Sequence, residues 1–473
     1  MVGGAQLGPH DSRPAGPQRL AAALETRRFG QTRPQVLELV PNRDRRTPSS
    51  REATRAKYLR ILDRVLVRSF SDWTAEGFRI AADLENSFGP AYSRDVLTRG
   101  TVAWSVIAVN AEELQPTIDG ILTLGILWLA YCREHGGGRR LSEGLKVIVP
   151  QGTAQTTCAR MPWLNSAAAK WELYELDERV EQIEPVDLRN SGNLHCQLVH
   201  AFNPNAALER FRSAVNHVLG LLRPGHRATT EVRPRSATEI AFVLYGLEFA
   251  RIRHGLVAGS FTRRDDNTFG AGANETPLTF ETEDLFRELT GRLFVHCHAS
   301  GTIRNPLRRL QPERWLESGL RQDIADIEPA TRADIVYSQV PAFSAGDRGM
   351  LDLLTITHSG RLAVIEFKAD DDLHLPLQAL DYWSRVRQLQ GERAFEKHGY
   401  FPGIEPSDQL PLLYLVAPAL HIHPSSDAVL RHLSPEIPWE MIGLNEDWRK
   451  RRKVILRKRG LAVPGERAFG ADA

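Results

Sequence analysis

The chain has 473 residues, of which 42% are hydrophobic and 25% are charged, and its formal net charge is +2. This length predicts roughly two to four globular domains, and the near-neutral charge excludes a polycation, so any nucleic-acid contact must come from local basic patches. Four widely spaced cysteines without a Cys-x-x-Cys pair argue against a zinc ribbon and a disulfide scaffold. No apolar run is long enough for a membrane span and no secretory signal is visible, so we expect a cytoplasmic protein.

The first part of the chain divides into two segments. Residues 1–50 are rich in Gly, Pro and Arg and show no sustained hydrophobic period, so we predict that they are disordered. Residues 51–187 form a predicted α/β domain. Its helices are expected at Arg55–Ser69, Leu114–Tyr131 and Thr153–Leu164, and its strands at Phe78–Ala82, Val102–Val109, Leu145–Val149 and Trp171–Leu176.

Residues 188–300 are predicted to form a mainly helical connector. Asn203–Leu222 has apolar residues at helical spacing, and Phe280–Val295 begins with acidic residues that favour the start of a helix. Between these two, Ser236-x-x-Glu239 is typical of a capping box and predicts a helix that continues through Phe249. The connector is interpreted as a lid or a DNA-facing arm.

Residues 301–460 again have the composition and periodicity of an α/β domain, and residues 461–473 are expected to be a flexible tail. Its helices are predicted at Pro312–Ile324, Leu375–Leu389 and Ser425–Leu433, and its strands at Val336–Pro341, Met350–Thr357, Arg361–Phe367, Leu412–Val416 and Trp439–Leu444. The turn His358-Ser359-Gly360 joins two of these strands as a hairpin.

Charged residues stand at the end of the most apolar of these strands. Glu366 and Lys368 share one face of the strand, because side chains alternate between faces, and Asp352 lies on the preceding antiparallel strand. Burying such charges is costly unless they meet each other or a cation. Carboxylate oxygens are ligands that suit Mg²⁺ or Mn²⁺. The sequence therefore predicts a metal site at this edge of the sheet.

Asp352, Glu366-x-Lys368 and Gln378-x-x-x-Tyr382 together resemble the motif of the PD-(D/E)XK nuclease superfamily, and the Gln-x-x-x-Tyr part is similar to its RecB-like and NucS-like branches. The resemblance covers about residues 310–449. It implies a restriction-endonuclease-like αβββαβ core. The usual Pro-Asp of the family is Leu351-Asp352 here.

The resemblance also implies roles for individual residues. Asp352 and Glu366 would bind the divalent metal, and Lys368 would position or activate water. Gln378 and Tyr382 would support the site or touch the DNA backbone. An acidic residue on the preceding helix would complete the metal site, and Glu317 fits this role, with Glu313 as the alternative.

The N-terminal α/β domain has the same predicted order of elements as the C-terminal one. WSVIAVNAEE, which begins at Trp104, is similar to LAVIEFKADD, which begins at Leu362. From this similarity we hypothesise an internal duplication with a degenerate N-terminal copy. In that alignment Ala108 stands for Glu366 and Asn110 for Lys368, and Asp83 stands for Asp352. Chance similarity between two unrelated α/β domains is the alternative.

Two basic runs flank the candidate site and are predicted to contact phosphates, although such runs also occur as solvated surfaces. They contain Arg304, Arg308 and Arg309 before the nuclease helix, and Arg449, Lys450, Arg451 and Arg452 after the last strand.

The sequence therefore predicts a Mg²⁺- or Mn²⁺-dependent DNA nuclease, with an endonuclease favoured over an exonuclease. The alternative is a catalytically inactive module that binds nucleic acid or protein on a nuclease-like frame. A metal hydrolase acting on another substrate has no supporting motif. Paired cuts would need a homodimer, and the sequence leaves the oligomeric state and the pathway, such as DNA repair or defence, open.

Overall fold

A computed structural model describes residues 22–26, 35–39, 48–80, 87–136, 140–190, 196–256, 263–270, 275–300, 309, 311–344 and 347–460. The predicted α/β class is confirmed. The described chain contains an N-terminal α/β half, an antiparallel sheet in the middle and a C-terminal α/β half.

The prediction that residues 1–50 are disordered is wrong for three short segments. Strands β1 (Ala22–Thr26) and β2 (Gln35–Leu39) pair antiparallel, with Leu24 opposite Leu37, and the first helix already begins at Pro48. These short apolar runs are enough for a hairpin. The rest of residues 1–50, and the predicted tail 461–473, lie outside the described residues.

The N-terminal half is a six-stranded sheet in the order β3-β4-β5-β6-β7-β8 with helices on both faces. Its strands are β3 Thr74–Ala75, β4 Tyr92–Arg99, β5 Val102–Val109, β6 Leu141–Pro150, β7 Lys170–Asp177 and β8 Gln182–Pro185, and its helices are α1 Pro48–Ser69, α2 Gln115–Asp119, α3 Ile121–His135 and α4 Gln155–Arg160. Every residue from Ile121 to Leu129 is buried. A helix that is apolar all round is buried on all sides, and α3 lies between its own sheet and the C-terminal half.

The predicted helical connector is wrong for its central part. The connector contains β9 (Cys196–Leu198), which adds to the sheet of the C-terminal half, and a five-stranded antiparallel sheet of its own. The strands of that sheet are β10 Glu231–Ser236, β11 Glu239–Leu244, β12 Leu247–Leu256, β13 Arg263–Phe269 and β14 Thr276–Pro277, and the helices are α5 Pro204–Arg210, α6 Arg212–Leu221, α7 Pro224–Thr229 and α8 Glu283–His296. The predicted helix from Ser236 to Phe249 is a hairpin, because Tyr245 and Gly246 form its turn with positive φ angles of 48° and 81°.

The C-terminal half is a seven-stranded sheet in the order β20-β19-β18-β17-β16-β15-β9. Its strands are β15 Thr331–Ser344, β16 Asp347–Thr357, β17 Leu362–Phe367, β18 Leu412–Pro418, β19 Trp439–Leu444 and β20 Val454–Arg459, and its helices are α9 Pro312–Ile327, α10 Leu375–Gly391, α11 Ala394–Lys397 and α12 Ser426–Leu430. Helix α9 packs on one face of the sheet against Ala363 and Ile365, and α10 packs on the other against Leu362 and Val364.

The sheets of the two halves pair in the same way. In each half three antiparallel strands are followed by two parallel pairings and a final antiparallel edge strand. Strand β5 therefore has the place of β17, and β4 has the place of β16.

The hypothetical equivalence of Ala108 with Glu366 is one residue out of register. In β6 and β7, Pro150 pairs with Leu176, and in β18 and β19, Pro418 pairs with Leu444. Counting back from these two matched pairs, the residue of β5 that corresponds to Glu366 is Ile107. The packing agrees, because Ile107 and Val109 face α3 whereas Ala108 faces α1. By the same shift Val109, not Asn110, corresponds to Lys368, and Asp83 lies outside the described residues.

One hydrophobic core is shared by the two halves. It contains α3 residues such as Trp128 together with α10 residues such as Trp383. Among the residues described, no helix is long and apolar enough to cross a membrane.

Candidate active site

Asp352 and Glu366 lie opposite each other on neighbouring strands. The antiparallel register pairs Leu353 with Ile365, and the next pair outward is Asp352 with Glu366. Side chains directly opposite in such a pair are in contact range, and the charge of Asp352 raises the pKa of Glu366. Both point to the face covered by α10, the face of Leu354 and Val364. The structure thus places these two carboxyl groups on neighbouring strands and on one face of the sheet.

The pKa values of both carboxyl groups are raised, so simultaneous ionisation of the two is unfavourable. Burial raises the pKa of Asp352 to about 6. Burial, and then the neighbouring charge of Asp352, raises the pKa of Glu366 well above its ordinary value; its side chain is only 2% exposed. Two like charges in one buried site cannot both ionise without a compensating cation. The pair therefore takes up a proton or is compensated by positive charge, part of which Lys368 supplies.

Lys368 supplies one positive charge at this site. Its Nζ lies 3.7 Å from Oε1 of Glu366 and 3.8 Å from Oε1 of Glu313. Burial alone would lower the pKa of Lys368, but the charges of Glu366, Glu313 and Asp352 outweigh it and the pKa is raised. The side chain is therefore an ammonium group that partly neutralises the neighbouring carboxylates, and it is not a base at neutral pH.

Glu317 and Glu313, both on α9, have different surroundings. Glu317 is buried, with Oε1 3.2 Å from Nη1 of Arg233 and Oε2 3.3 Å from Nη1 of Arg314. Gln339 also donates a hydrogen bond to its Oε2 at 3.3 Å. Both oxygens of Glu317 thus have partners, although its charge is close enough to raise the pKa of Asp352. Glu313, the alternative in the sequence analysis, is half-exposed and is the one that touches Lys368.

Gln378 and Tyr382 lie one turn apart on α10, as predicted. The pKa of Tyr382 is raised by burial and then by the charges of Glu366 and Asp352, so its hydroxyl lies near both and stays protonated. Oε1 of Gln378 is buried and accepts no hydrogen bond, and the same holds for Oε2 of Glu366. Buried acceptors without partners are rare in folded proteins and require an explanation such as a bound ion or water.

A divalent cation fits this set of donors. In the part of the chain that the structure describes, no group of three or more His, Cys, Asp or Glu residues is arranged to hold a metal ion. Mg²⁺, however, is held in many proteins by one or two carboxylates and completes its shell with water and substrate oxygens. Asp352 and Glu366, with the free Oε2 of Glu366, match that pattern.

The predicted phosphate contacts are only partly available. Arg304 and Arg308 lie outside the described residues, and Arg309 is exposed. Arg449 packs its guanidinium on the ring of Trp448 at 4.2 Å, and Arg452 is paired with Asp323 at 2.6 Å. Lys450, paired with Asp447 at 3.5 Å, and Arg451 are exposed to solvent.

The end of the second basic run is an edge strand, β20, which sequence reasoning missed. Arg457 and Arg459 both pair with Glu440 of the neighbouring strand. The alternation of charged and apolar residues in VILRKR is the signal that predicts such a strand. These two arginines therefore pair within the sheet, although both are exposed, and Arg309, Lys450 and Arg451 are exposed as well.

Arg233 is the other functional candidate that the sequence did not reveal. It is buried on β10 and bonds to Glu317 and also to Glu231, at 2.9 Å. No local pattern indicates this contact, because 84 residues separate Arg233 from Glu317. The middle sheet thus reaches the helix that borders the candidate site.

Comparisons with known proteins add no relative. No family model matches the chain, and no curated protein matches it.

Proposed function

We propose that the C-terminal half is a restriction-endonuclease-like nuclease domain and that the protein hydrolyses phosphodiester bonds of DNA with Mg²⁺ or Mn²⁺. The observation that carries the proposal is the facing pair Asp352 and Glu366, with Lys368 beside it, at one end of a buried strand. The helix that follows this strand brings Tyr382 to the same place.

Each residue has a role that follows from its surroundings. Asp352 and Glu366 would hold the cation, which would polarise the scissile phosphate and lower the pKa of a water molecule. Lys368 remains an ammonium group, orients the attacking water and offsets the negative charge that develops on the phosphate. Tyr382 remains protonated and donates a hydrogen bond toward the DNA backbone or the carboxylate pair.

An inactive binding module is the rival function. A module that only binds has no use for a buried and a half-buried carboxyl group of raised pKa, because they cost folding free energy and face into the sheet–helix layer. The exposed cations of the basic runs would serve either function.

Cleavage assays with Mg²⁺ or Mn²⁺ on single-stranded, duplex and branched DNA test the proposal. We expect metal-dependent cleavage by the wild type and a loss of about a hundredfold or more in Lys368→Ala, since a charge aimed at the developing anion is removed. The matched control is Lys397→Ala, an exposed lysine whose Nζ bonds only to the carbonyl of Glu392 in the described contacts. DNA binding without cleavage by any of the three proteins would support the binding module instead.

A further inference from the structure

The N-terminal half has the architecture of the nuclease half but a different set of residues at the matching position. Ile107 corresponds to Glu366 and Val109 to Lys368, as the strand registers require. In the N-terminal half, Ile107 pairs with Arg94, in the way that Glu366 faces Asp352. Two carboxylates and a lysine are thus replaced by two aliphatic side chains and an arginine.

At the matching position of the N-terminal half, the replacing side chains are also buried. Arg94 is buried, and its guanidinium lies 4.1 Å from the ring centre of Phe88 and 5.4 Å from that of Trp128. Ile107 and Val109 are fully buried in the shared core. The fixed positive charge of Arg94 excludes a metal cation from this position.

The two halves meet in a reciprocal way. Leu164, after α4, forms an antiparallel bridge with Leu433, after α12, and these helices hold matching places in their halves. The amide of Asn165 donates to the carbonyl of His432 at 2.8 Å, and the amide of Ser434 donates to the carbonyl of Trp163 at 2.7 Å. Each half donates one of these backbone hydrogen bonds and accepts the other, which is the contact pattern of a two-fold symmetric dimer.

The helix contacts repeat the same pattern. Helix α4 of the N-terminal half packs on α10, and α12 of the C-terminal half packs on α3. One of these contacts is fixed by a two-pronged ion pair between Arg160 and Asp381, at 2.7 and 2.8 Å. The two halves thus contact each other as the subunits of a two-fold dimer do, with the N-terminal half in the place of a second copy of the C-terminal half.

A two-fold protein binds duplex DNA so that its halves address the two antiparallel strands. A symmetric nuclease dimer in that position has one reactive site for each strand. From the exchange of Asp352, Glu366 and Lys368 for Arg94, Ile107 and Val109, we propose that this protein acts as a monomer on duplex DNA and cuts one strand in each binding event. This inference rests on the proposed nuclease function.

Supercoiled plasmid distinguishes the possible outcomes, because a nick gives the open circle and a double cut gives the linear form. With the full-length protein and Mn²⁺ or Mg²⁺, we expect open circles first, and linear DNA only after a lag in which separate nicks accumulate. The rate of nicking should rise in proportion to protein concentration, and light scattering should give the mass of one chain.

Three results would overturn the inference while leaving the nuclease activity intact. One is linear DNA that forms without a lag, and another is cleavage that rises with the square of protein concentration. The third is cleavage confined to single-stranded DNA, which would exclude the proposed duplex substrate. If wild type and Lys368→Ala both leave every DNA intact, the proposed function itself is wrong.

Discussion

At the scale of single residues, the candidate site is defined by a conflict between stability and function. Asp352 raises the pKa of Glu366, and Oε2 of Glu366 is buried without a hydrogen bond. Such an arrangement persists in folded proteins at positions where a ligand resolves it. A substitution that removes one of the two carboxyl groups should therefore stabilise the fold and abolish cleavage, so that the two effects can be measured separately.

Glu366→Gln is expected to stabilise the protein and abolish cleavage. The neutral amide removes the repulsion by Asp352 and offers it a hydrogen-bond donor, so the free energy of unfolding should rise by about 1–3 kcal/mol at neutral pH. Urea unfolding without metal measures this change. A lower stability than that of the wild type would contradict it.

The same substitution tests the cation. A ligand that binds only the folded state raises the unfolding temperature as its concentration increases. Mn²⁺ should therefore raise the unfolding temperature of the wild type and leave that of Glu366→Gln unchanged. Glu396→Gln, at an exposed position on α11, is the matched control and should respond like the wild type. An equal response of all three proteins would place the cation elsewhere.

Asp95 gives a pH-dependent prediction away from the site. It is buried on β4, and burial raises its pKa from 3.8 to about 6 in the folded protein. Its Oδ1 accepts hydrogen bonds from the amides of Gly77 and Val96, whereas Oδ2 is buried without a partner. The folded state therefore holds a proton that the unfolded chain releases near pH 4.

Because the folded pKa is the higher one, the stabilising contribution of protonated Asp95 is present below about pH 4 and is lost as the pH rises through about 6. We expect Asp95→Asn to be more stable than the wild type at pH 7, by up to roughly 3 kcal/mol, and to lose this advantage at pH 4. Chemical unfolding at several pH values measures it. Asp72→Asn, at an exposed position, should show no such pH-dependent gain.

At the scale of elements, the sequence predicts most long helices and central strands of the two α/β halves, because these strands are short apolar runs and these helices are long and periodic. It misses β4 (Tyr92–Arg99), and residues 78–80 of the strand predicted at Phe78–Ala82 form only an isolated bridge at Arg79. Val102–Val109 is predicted to the residue, and Leu375–Gly391 is predicted two residues short. The helix predicted over the run IAFVLYGLEFA is wrong, because a continuous apolar run does not distinguish a buried helix from a buried hairpin. Its Tyr-Gly pair, at positions 245 and 246, was the local signal of a turn.

The tip of this hairpin fits closely against the helix that borders the site. A Cβ atom at Gly246 would lie 2.0 Å from the carbonyl oxygen of Arg314, which is backbone and has no room to move. The ring of Tyr245 stacks on Trp315 at 4.8 Å. The middle sheet thereby fixes the turn of α9 that carries Glu313 and Glu317.

Gly246→Ala is therefore expected to destabilise the protein by about 2 kcal/mol or more, through the clash and the positive φ of 81°. Because α9 must shift, cleavage should also fall, and by more than the loss of folded protein explains. Gly255→Ala on β12, the strand that follows this turn, is the control, since nothing lies within 4 Å of its added Cβ. Equal stability of the two variants would show that α9 adapts freely.

At the scale of the whole molecule, the sequence predicts which residues form the site but not what surrounds it. The facing of Asp352 and Glu366 follows from strand alternation and one tight turn, which are local. One partner of Glu317, Arg233, comes from a sheet that begins 86 residues earlier in the sequence, at Glu231. The alignment of Ala108 with Glu366 is one residue out of register, because the similarity of two apolar segments does not show which face of the sheet each residue occupies.

The junction of the two halves gives the last prediction. Arg160 is buried, donates to both oxygens of Asp381 and also to the carbonyl of Asp119 at 2.6 Å. Arg160→Met leaves the Asp381 carboxylate without its partner, so we expect a loss of about 3–5 kcal/mol in stability. Asp381→Leu in addition should restore most of that loss, because two apolar side chains then meet in the shared core.

Trp163 and Trp383, with ring centres 4.9 Å apart across the junction, report on it through their fluorescence. Since one core spans both halves, this signal and circular dichroism should follow a single unfolding transition in the wild type; a separate, earlier fluorescence transition would mean that the halves fold independently.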